Sequence, residues 1–294
     1  MDLDVLVIGG VGIDTIVRVP GLPLPDRETL HVPPVESYVG HTGHGVVLGC
    51  DRLGLRSGLA DVIGDDAEGR RIRSAYEELG LPLAFALHPS GTRRSVNLVS
   101  PDGSRVALYD GRHPAGMWVD PVLWREWTGH ARHVHISIMD FARRALPDVL
   151  ASGCTVSTDL HDWDGDNDYH RDFAQCADVV FVSTSALPDK VVDWIFASGR
   201  AQVVVAMAGA DGSYLCVRGE DPVHLPAVDL PGRPVVDTNG AGDAYVAAFL
   251  TTWLDGRSYY EAATAGTVAG AWACGSAGTH TDLITAEQLM LLTP

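Results

Sequence analysis

Short, largely apolar runs rich in β-branched residues recur along the chain: DVLVIGG (4–10), GLADVIG (58–64), ARHVHISI (131–138), CTVSTDL (154–160), ADVVFVS (177–183) and QVVVAMA (202–208). Between them DDAEGRRIRSAYEELG (65–80), FARRALPDVLAS (141–152) and VVDWIFASG (191–199) show helical patterning. Short apolar strands alternating with helices predict a mostly parallel sheet covered on both faces. Two stretches break the alternation. Residues 14–38 are proline-rich and extended, and TRRSVNLVSPDGSRVALYD (92–110) carries a PDG turn signal between two strand-like halves. They predict a small antiparallel layer outside the main sheet, a lid drawn from segments 14–38 and 90–112. Near the end, AYVAAFLTTWL (244–254) is apolar nearly all round and predicts a buried helix of about 12–15 residues. YYEAATAGTVAGAWACG and TAEQLML follow as closing helices. No repeat, low-complexity tract or linker divides the 294 residues, so a single α/β domain is expected.

Composition removes several classes of function. A net charge of −17 argues against nucleic acid or an anionic membrane as partner. No apolar run approaches the roughly 18 residues that span a bilayer. The N-terminal MDLD is acidic and runs straight into a strand, unlike a secretory signal. Cys50, Cys154, Cys176, Cys216 and Cys274 are odd in number and never form C-x-x-C, a pattern suited to reduced thiols in a cytoplasm. Of 21 lysines and arginines only Lys190 is a lysine, and no G-x-x-x-x-G-K precedes it. A P-loop and the lysine-dependent protein-kinase signature are therefore both absent.

The residues just before the apolar helix carry chemistry. DTNGAGD (237–243) places glycines at a helix N-terminus, where unpaired N–H groups favour an anion and glycine lets it approach closely. Asp243 falls in the first turn of that helix. A carboxylate facing an anion site is costly unless it has a chemical task. The plainer reading is a glycine-rich turn capped by Asp237.

DTNGAGDAYVAAF resembles the C-terminal signature of the ribokinase-like carbohydrate kinases, the phosphofructokinase-B family, at every fixed position. VIGGVGIDTIVRV, RLGLRSGLADVIGDDAEGRRI and VVVAMAGADGSYLCV resemble other stretches of the same family, so the likeness spans essentially the whole chain. The resemblance implies a three-layer α/β/α fold with a β lid, and transfer of the γ-phosphoryl group of ATP to a hydroxyl. It makes Asp243 the catalytic base, and the N–H groups of Gly240, Ala241 and Gly242 the anion hole. Asp14 is implied at the substrate hydroxyls, and Asp237 with Asn239 where a monovalent cation such as K⁺ is held. Phosphoryl transfer depends on positioning and charge stabilisation, which fixed N–H dipoles supply without lysine.

Two departures stand out. The family's first signature, G-G-x-G-x-N, aligns with GHTGHG, keeping Gly40 and Gly43 but placing His41 at the second glycine and Gly45 at the asparagine. Gly40, His41, Thr42 and Gly45 are thus the substrate-site counterparts, with Tyr38 and His44 close by. The family's N-x-x-E, which orders Mg²⁺, aligns with STSA, Ser183 to Ala186. Asp159, at the end of CTVSTDL, is a substitute candidate for Mg²⁺, although the acidic run that follows it also suits a plain surface loop. His133 and His135 share one face of a strand, as metal ligands or as structural histidines. Arg93 and Arg94 could grip a phosphate on the substrate, or be solvated lid charges.

The leading expectation is an ATP- and Mg²⁺-dependent kinase of a sugar or sugar-like alcohol. A nucleoside kinase and a ligand-binding protein on a kinase fold are the alternatives. A homodimer paired through the lid is a candidate assembly.

Overall fold

In this computed structural model residues 2–101, 103–184 and 189–293 are described. The chain opens with β1 (Leu3–Ile8), β2 (Gly12–Arg18), β3 (Glu36–Gly40), α1 (Thr42–Arg52), β4 (Ser57–Gly64), α2 (Ala67–Leu79) and β5 (Leu83–His88). Next come β6 (Arg94–Val99), β7 (Arg105–Asp110), α3 (Val122–Thr128), β8 (Ala131–Ser137), α4 (Leu146–Ser152), β9 (Thr155–Asp159) and α5 (Arg171–Cys176). It closes with β10 (Val179–Ser183), α6 (Asp189–Ser198), β11 (Val203–Met207), β12 (Ser213–Val217), β13 (Val223–Leu225), α7 (Ala241–Leu254), α8 (Tyr259–Cys274) and α9 (Ala286–Leu292).

The main sheet has nine strands in the order β13-β12-β11-β10-β9-β8-β1-β4-β5. Only the β11–β12 and β12–β13 pairings are antiparallel. Both faces are covered, which is why its strands lack polar alternation. In β1, Leu6 and Ile8 enter the core beneath α3 to α6, while Val5 and Val7 enter the core beneath α1, α2 and α7. The Val180/Val182 and Val179/Phe181 pairs of β10 divide the same way. The three-layer α/β/α arrangement is therefore written into strands whose successive apolar side chains enter two different cores.

Local chemistry sets the helix ends. Asp66 caps α2 by accepting from the Gly69 N–H, and Gly80 ends it in the left-handed conformation. The single helix expected over 141–152 is instead a 3₁₀ segment, Asp140–Ala145, followed by α4. Pro147 explains the break, since it lacks an N–H and suits the first turn of a new helix.

The outlying strands form a second sheet, ordered β3-β2-β6-β7. It is mixed rather than antiparallel: β2 runs parallel to β6, because they belong to separate excursions from the main sheet. Asp102, the middle of the expected PDG turn, lies outside the described residues; on either side β6 and β7 pair antiparallel. One face of this sheet looks toward the main body. The other carries Leu98, Val106 and Leu108, the last two exposed.

A buried ion pair joins the two sheets. Asp61, fully buried within β4, accepts from Arg93 Nη2 at 2.5 Å and from the Val11 N–H at 2.7 Å. Arg93 also donates to the Val11 carbonyl and reaches His113 Nδ1 at 3.3 Å. Removing either partner of such a pair strands the other charge, an effect of about 3–5 kcal/mol. Arg93 is thus neither a solvated lid charge nor a free phosphate grip. Arg94 is half-exposed, with Asp66 3.8 Å away.

Candidate active site

Between the two sheets lies a cleft of about 790 Å³, outside the carboxyl ends of β8 to β11, where ligands enter open α/β sheets. Asp14, His41, Thr42, Asp159, Asn239, Gly240, Gly242 and Asp243 all line it. Gly40, Gly45, Asp237 and Ala241 do not form its wall. Gly40 is a glycine for packing, since a Cβ there would overlap Asp14 Oδ2.

The loop–helix junction is built as its sequence requires. Gly240 takes a left-handed φ of 78° and α7 begins at the next residue. The first N–H groups of that helix have no intrahelical partner; that of Ala241 turns back to the Thr238 carbonyl at 3.4 Å, and Gly242 lines the cleft. Asp243 sits in the first turn and is buried. Its Oδ2 accepts from His280 Nε2 at 2.7 Å. A carboxylate only accepts, so an ionised Asp243 assigns the hydrogen to Nε2.

His280 had no place in the sequence reading. Its side chain is 1% exposed, its φ is 57°, and its Nδ1 has no hydrogen-bond partner among the described residues. Room for the ring comes from two glycines. A Cβ at Gly45 would overlap His280 Nε2, and one at Gly240 would stand 2.7 Å from His280 Cδ2.

At the far wall Asp14, on β2, accepts from Ser95 Oγ at 2.5 Å and from the His41 N–H at 2.9 Å. His41 Nε2 lies 3.3 Å from Asp14 Oδ1. Each Asp14 oxygen therefore keeps one free lone pair rather than two. Burial pushes the His41 imidazole pKa down, with Asp14 opposing. Tyr38 turns to Glu36 instead of the cleft, and buried His44 bonds Tyr76 from α1 beneath it.

The position implied for a monovalent cation is filled by protein groups. Asp237 Oδ1 accepts from the Asn239 N–H at 3.1 Å and from Asn239 Nδ2 at 2.7 Å. Asp237 Oδ2 accepts from Arg18 Nη2 at 3.0 Å and from the Gly278 N–H. Asn239 Oδ1 takes Arg105 Nη1 at 3.0 Å. The charge that a cation would bring to Asp237 is supplied by a guanidinium.

His133 and His135 are structural. His133 bonds Thr155 and Ser157, and His135 shares the same Ser157 hydroxyl. Burial holds their pKa values at about 3 and about 4, so both are neutral at pH 7. Asp159 is buried at the end of β9, and burial raises its pKa against the pull of His161. Ser183 lines the cleft, whereas Ser185 and Ala186, the end of the N-x-x-E counterpart, lie outside the described residues. Among the described residues no three His, Cys, Asp or Glu side chains gather around one metal position.

A cleft at strand ends, a carboxylate on a glycine-opened helix N-terminus and a small sheet opposite define an enzyme of phosphoryl transfer to a hydroxyl. The chain belongs to the pfkB family of carbohydrate kinases, whose profile matches residues 2–286. It is a sugar kinase that takes its phosphoryl group from ATP. The acarbose 7(IV)-phosphotransferase of Actinoplanes sp. strain SE50/110 is 42% identical over 304 residues, covering 99% of this chain and 98% of the relative. The solved structure of a microbiome-derived acarbose kinase, Mak1, is 55% identical, covers 100% and 99% of the two chains, and superposes with a TM-score of 0.94. Ribokinase of Arabidopsis thaliana, solved with ribose and ATP, covers 100% and 99% at 20% identity with a TM-score of 0.80, a likeness of fold.

Proposed function

We propose that this kinase phosphorylates acarbose or a closely related oligosaccharide, with Asp243 as the base. The observation that carries the mechanism is the position of Asp243 on the first turn of α7, in the same cleft as Asp14. Asp14 accepts hydrogen bonds from acceptor hydroxyls. Asp243 takes the proton of the attacking hydroxyl, and the N–H groups of Gly240 and Gly242, which line the cleft, face the transferred phosphoryl group, while that of Ala241 turns to the Thr238 carbonyl. The second sheet covers the acceptor as a lid, presenting Ser95, Asn97 and Tyr109 to the cleft. Acarbose is named as acceptor by similarity to the two acarbose enzymes, and a cleft of about 790 Å³ has room for more than one sugar ring. A nucleoside acceptor is not better supported, and catalysis by the family sets aside a pure binding role.

Mg²⁺ neutralises phosphate charge when bound. The protein carboxylate suited to it is Asp159, a hard oxygen donor that lines the cleft. With no three-residue cluster among the described residues, Asp159 would hold it together with ATP oxygens and water.

Measuring ADP release with acarbose, pentoses, hexoses, sugar phosphates and nucleosides tests the acceptor. Acarbose is expected to exceed the others in kcat/KM by about 10²-fold, the scale set by a complementary pocket. A nucleoside or simple monosaccharide as best acceptor would refute the assignment.

K⁺ does not fit at Asp237, whose two oxygens are already satisfied by Arg18 and three N–H donors. We expect turnover to be unchanged when K⁺ is exchanged for tetramethylammonium, and Arg18→Ala to make it K⁺-responsive. Stimulation of the wild-type enzyme by K⁺ would contradict this.

A further inference from the structure

His280 and Gly45 together point to a role no sequence motif marks. Position 45 is where the first signature of the family carries an asparagine, and here it has no side chain. The space beside its Cα is taken by the His280 imidazole, delivered from the segment after α8. The exchange is reciprocal: a Cβ at 45 would overlap Nε2 and come within 2.7 Å of Asp243 Cβ. Gly240, with its left-handed φ, clears the other side of the ring.

We propose that His280 is a positioning residue for phosphoryl transfer, holding Asp243 by the Nε2–Oδ2 hydrogen bond so that Oδ1 is presented to the acceptor hydroxyl. This rests on Asp243 being the base. The bond is short, 2.7 Å, and the ring is nearly inaccessible. An aspartate in a helical first turn has free rotation about its own χ angles unless something fixes one oxygen. Among the described residues no other hydrogen bond reaches the Asp243 carboxylate: the side-chain hydrogen bonds of the glycine loop end on Asp237 and Asn239. The Nδ1 atom, buried and without a partner among the described residues, is left on the edge of the ring away from the Asp243 contact.

The experiment compares His280→Ala, His280→Leu and His280→Gln with the best acceptor. His280→Ala should lower kcat roughly ten- to a hundred-fold, the scale of a misplaced base, while KM for ATP stays within about two-fold. Glutamine places a side-chain N–H near the position of Nε2, so His280→Gln should recover most of kcat. Leucine fills the space of the ring without an N–H, so His280→Leu should be as slow as His280→Ala. Near-normal kcat in His280→Ala or His280→Leu, or a His280→Gln variant as slow as either, would overturn the proposal. Should His280→Ala fail to fold, the contrast between His280→Leu and His280→Gln still decides it. An active Asp243→Asn would instead overturn the base assignment beneath it, so the two failures are separable.

Discussion

Asp243→Asn is expected to leave the fold and ATP binding intact and to slow turnover by roughly 10²–10⁴, the usual span for a positioned general base. The substitution is nearly isosteric. An asparagine carbonyl can still accept from His280 Nε2, the contact that Asp243 makes at 2.7 Å. The backbone of α7 and the packing of Gly45 against the ring therefore persist. What disappears is the capacity to take a proton. Steady-state ADP release on the true acceptor, beside a titration of ATP binding, separates the two effects. A variant with near-normal turnover would mean that another group accepts the proton.

The second large effect belongs to Gly242→Val, which should reduce transfer by at least about 10²-fold at saturating ATP, comparable to the loss of an oxyanion-hole donor. A Cβ at this position would meet only Met207, at 3.7 and 3.9 Å, ordinary van der Waals contact. The folded protein thus accommodates added carbon there. The approach to the first-turn N–H groups does not, because valine methyls would stand where phosphoryl oxygens come in. Lys190→Ala provides the contrast. Lys190 is exposed at the start of α6, and its removal should leave turnover within a few-fold, as for other surface charges. The reverse ranking would show that a lysine cation, rather than backbone dipoles, meets the developing charge.

How much of this molecule its sequence discloses depends on how local each signal is. The strands of the parallel core were legible because burial on both faces makes nearly every position apolar, as in β10 and β11. The glycine loop and α7 were legible because helix entry and anion chemistry lie within seven consecutive residues, 237–243. Helix α1 was obscure: its TGHGVVLG start is rich in glycine, each chosen for a close approach rather than for helicity. At Gly43 a Cβ would overlap the Gly9 carbonyl, and at Gly49 one would stand 2.5 Å from Ala247 Cβ. The parallel pairing of β2 with β6 could not be read from strands separated by the whole of β3 to β5. Arg93 looked like surface charge because its partner lies 32 residues away. The hint was Asp61 itself, a lone carboxylate inside an apolar strand, which cannot be buried unpaired. His280 had no such hint, since GSAGTHTD resembles an ordinary loop and its partner is 37 residues distant. Only the missing side chain at Gly45 recorded that something else fills the space.

The Arg93–Asp61 pair also governs how the small sheet can travel. Arg93 enters β6 and Val11 precedes β2, and both are fastened to β4 by buried hydrogen bonds. The two strands leaving that anchorage run side by side in parallel register from Ile13–Arg94 to Arg18–Val99. A swivel at the root would have to break a desolvated ion pair. Farther out the ties to the main body are fewer, Arg18 to Asp237 and Arg105 to Asn239. The small sheet is therefore built as a leaf spring rather than as a door, clamped at the root by a desolvated pair. At the distal end it is held by two arginines whose partners belong to the loop that opens α7.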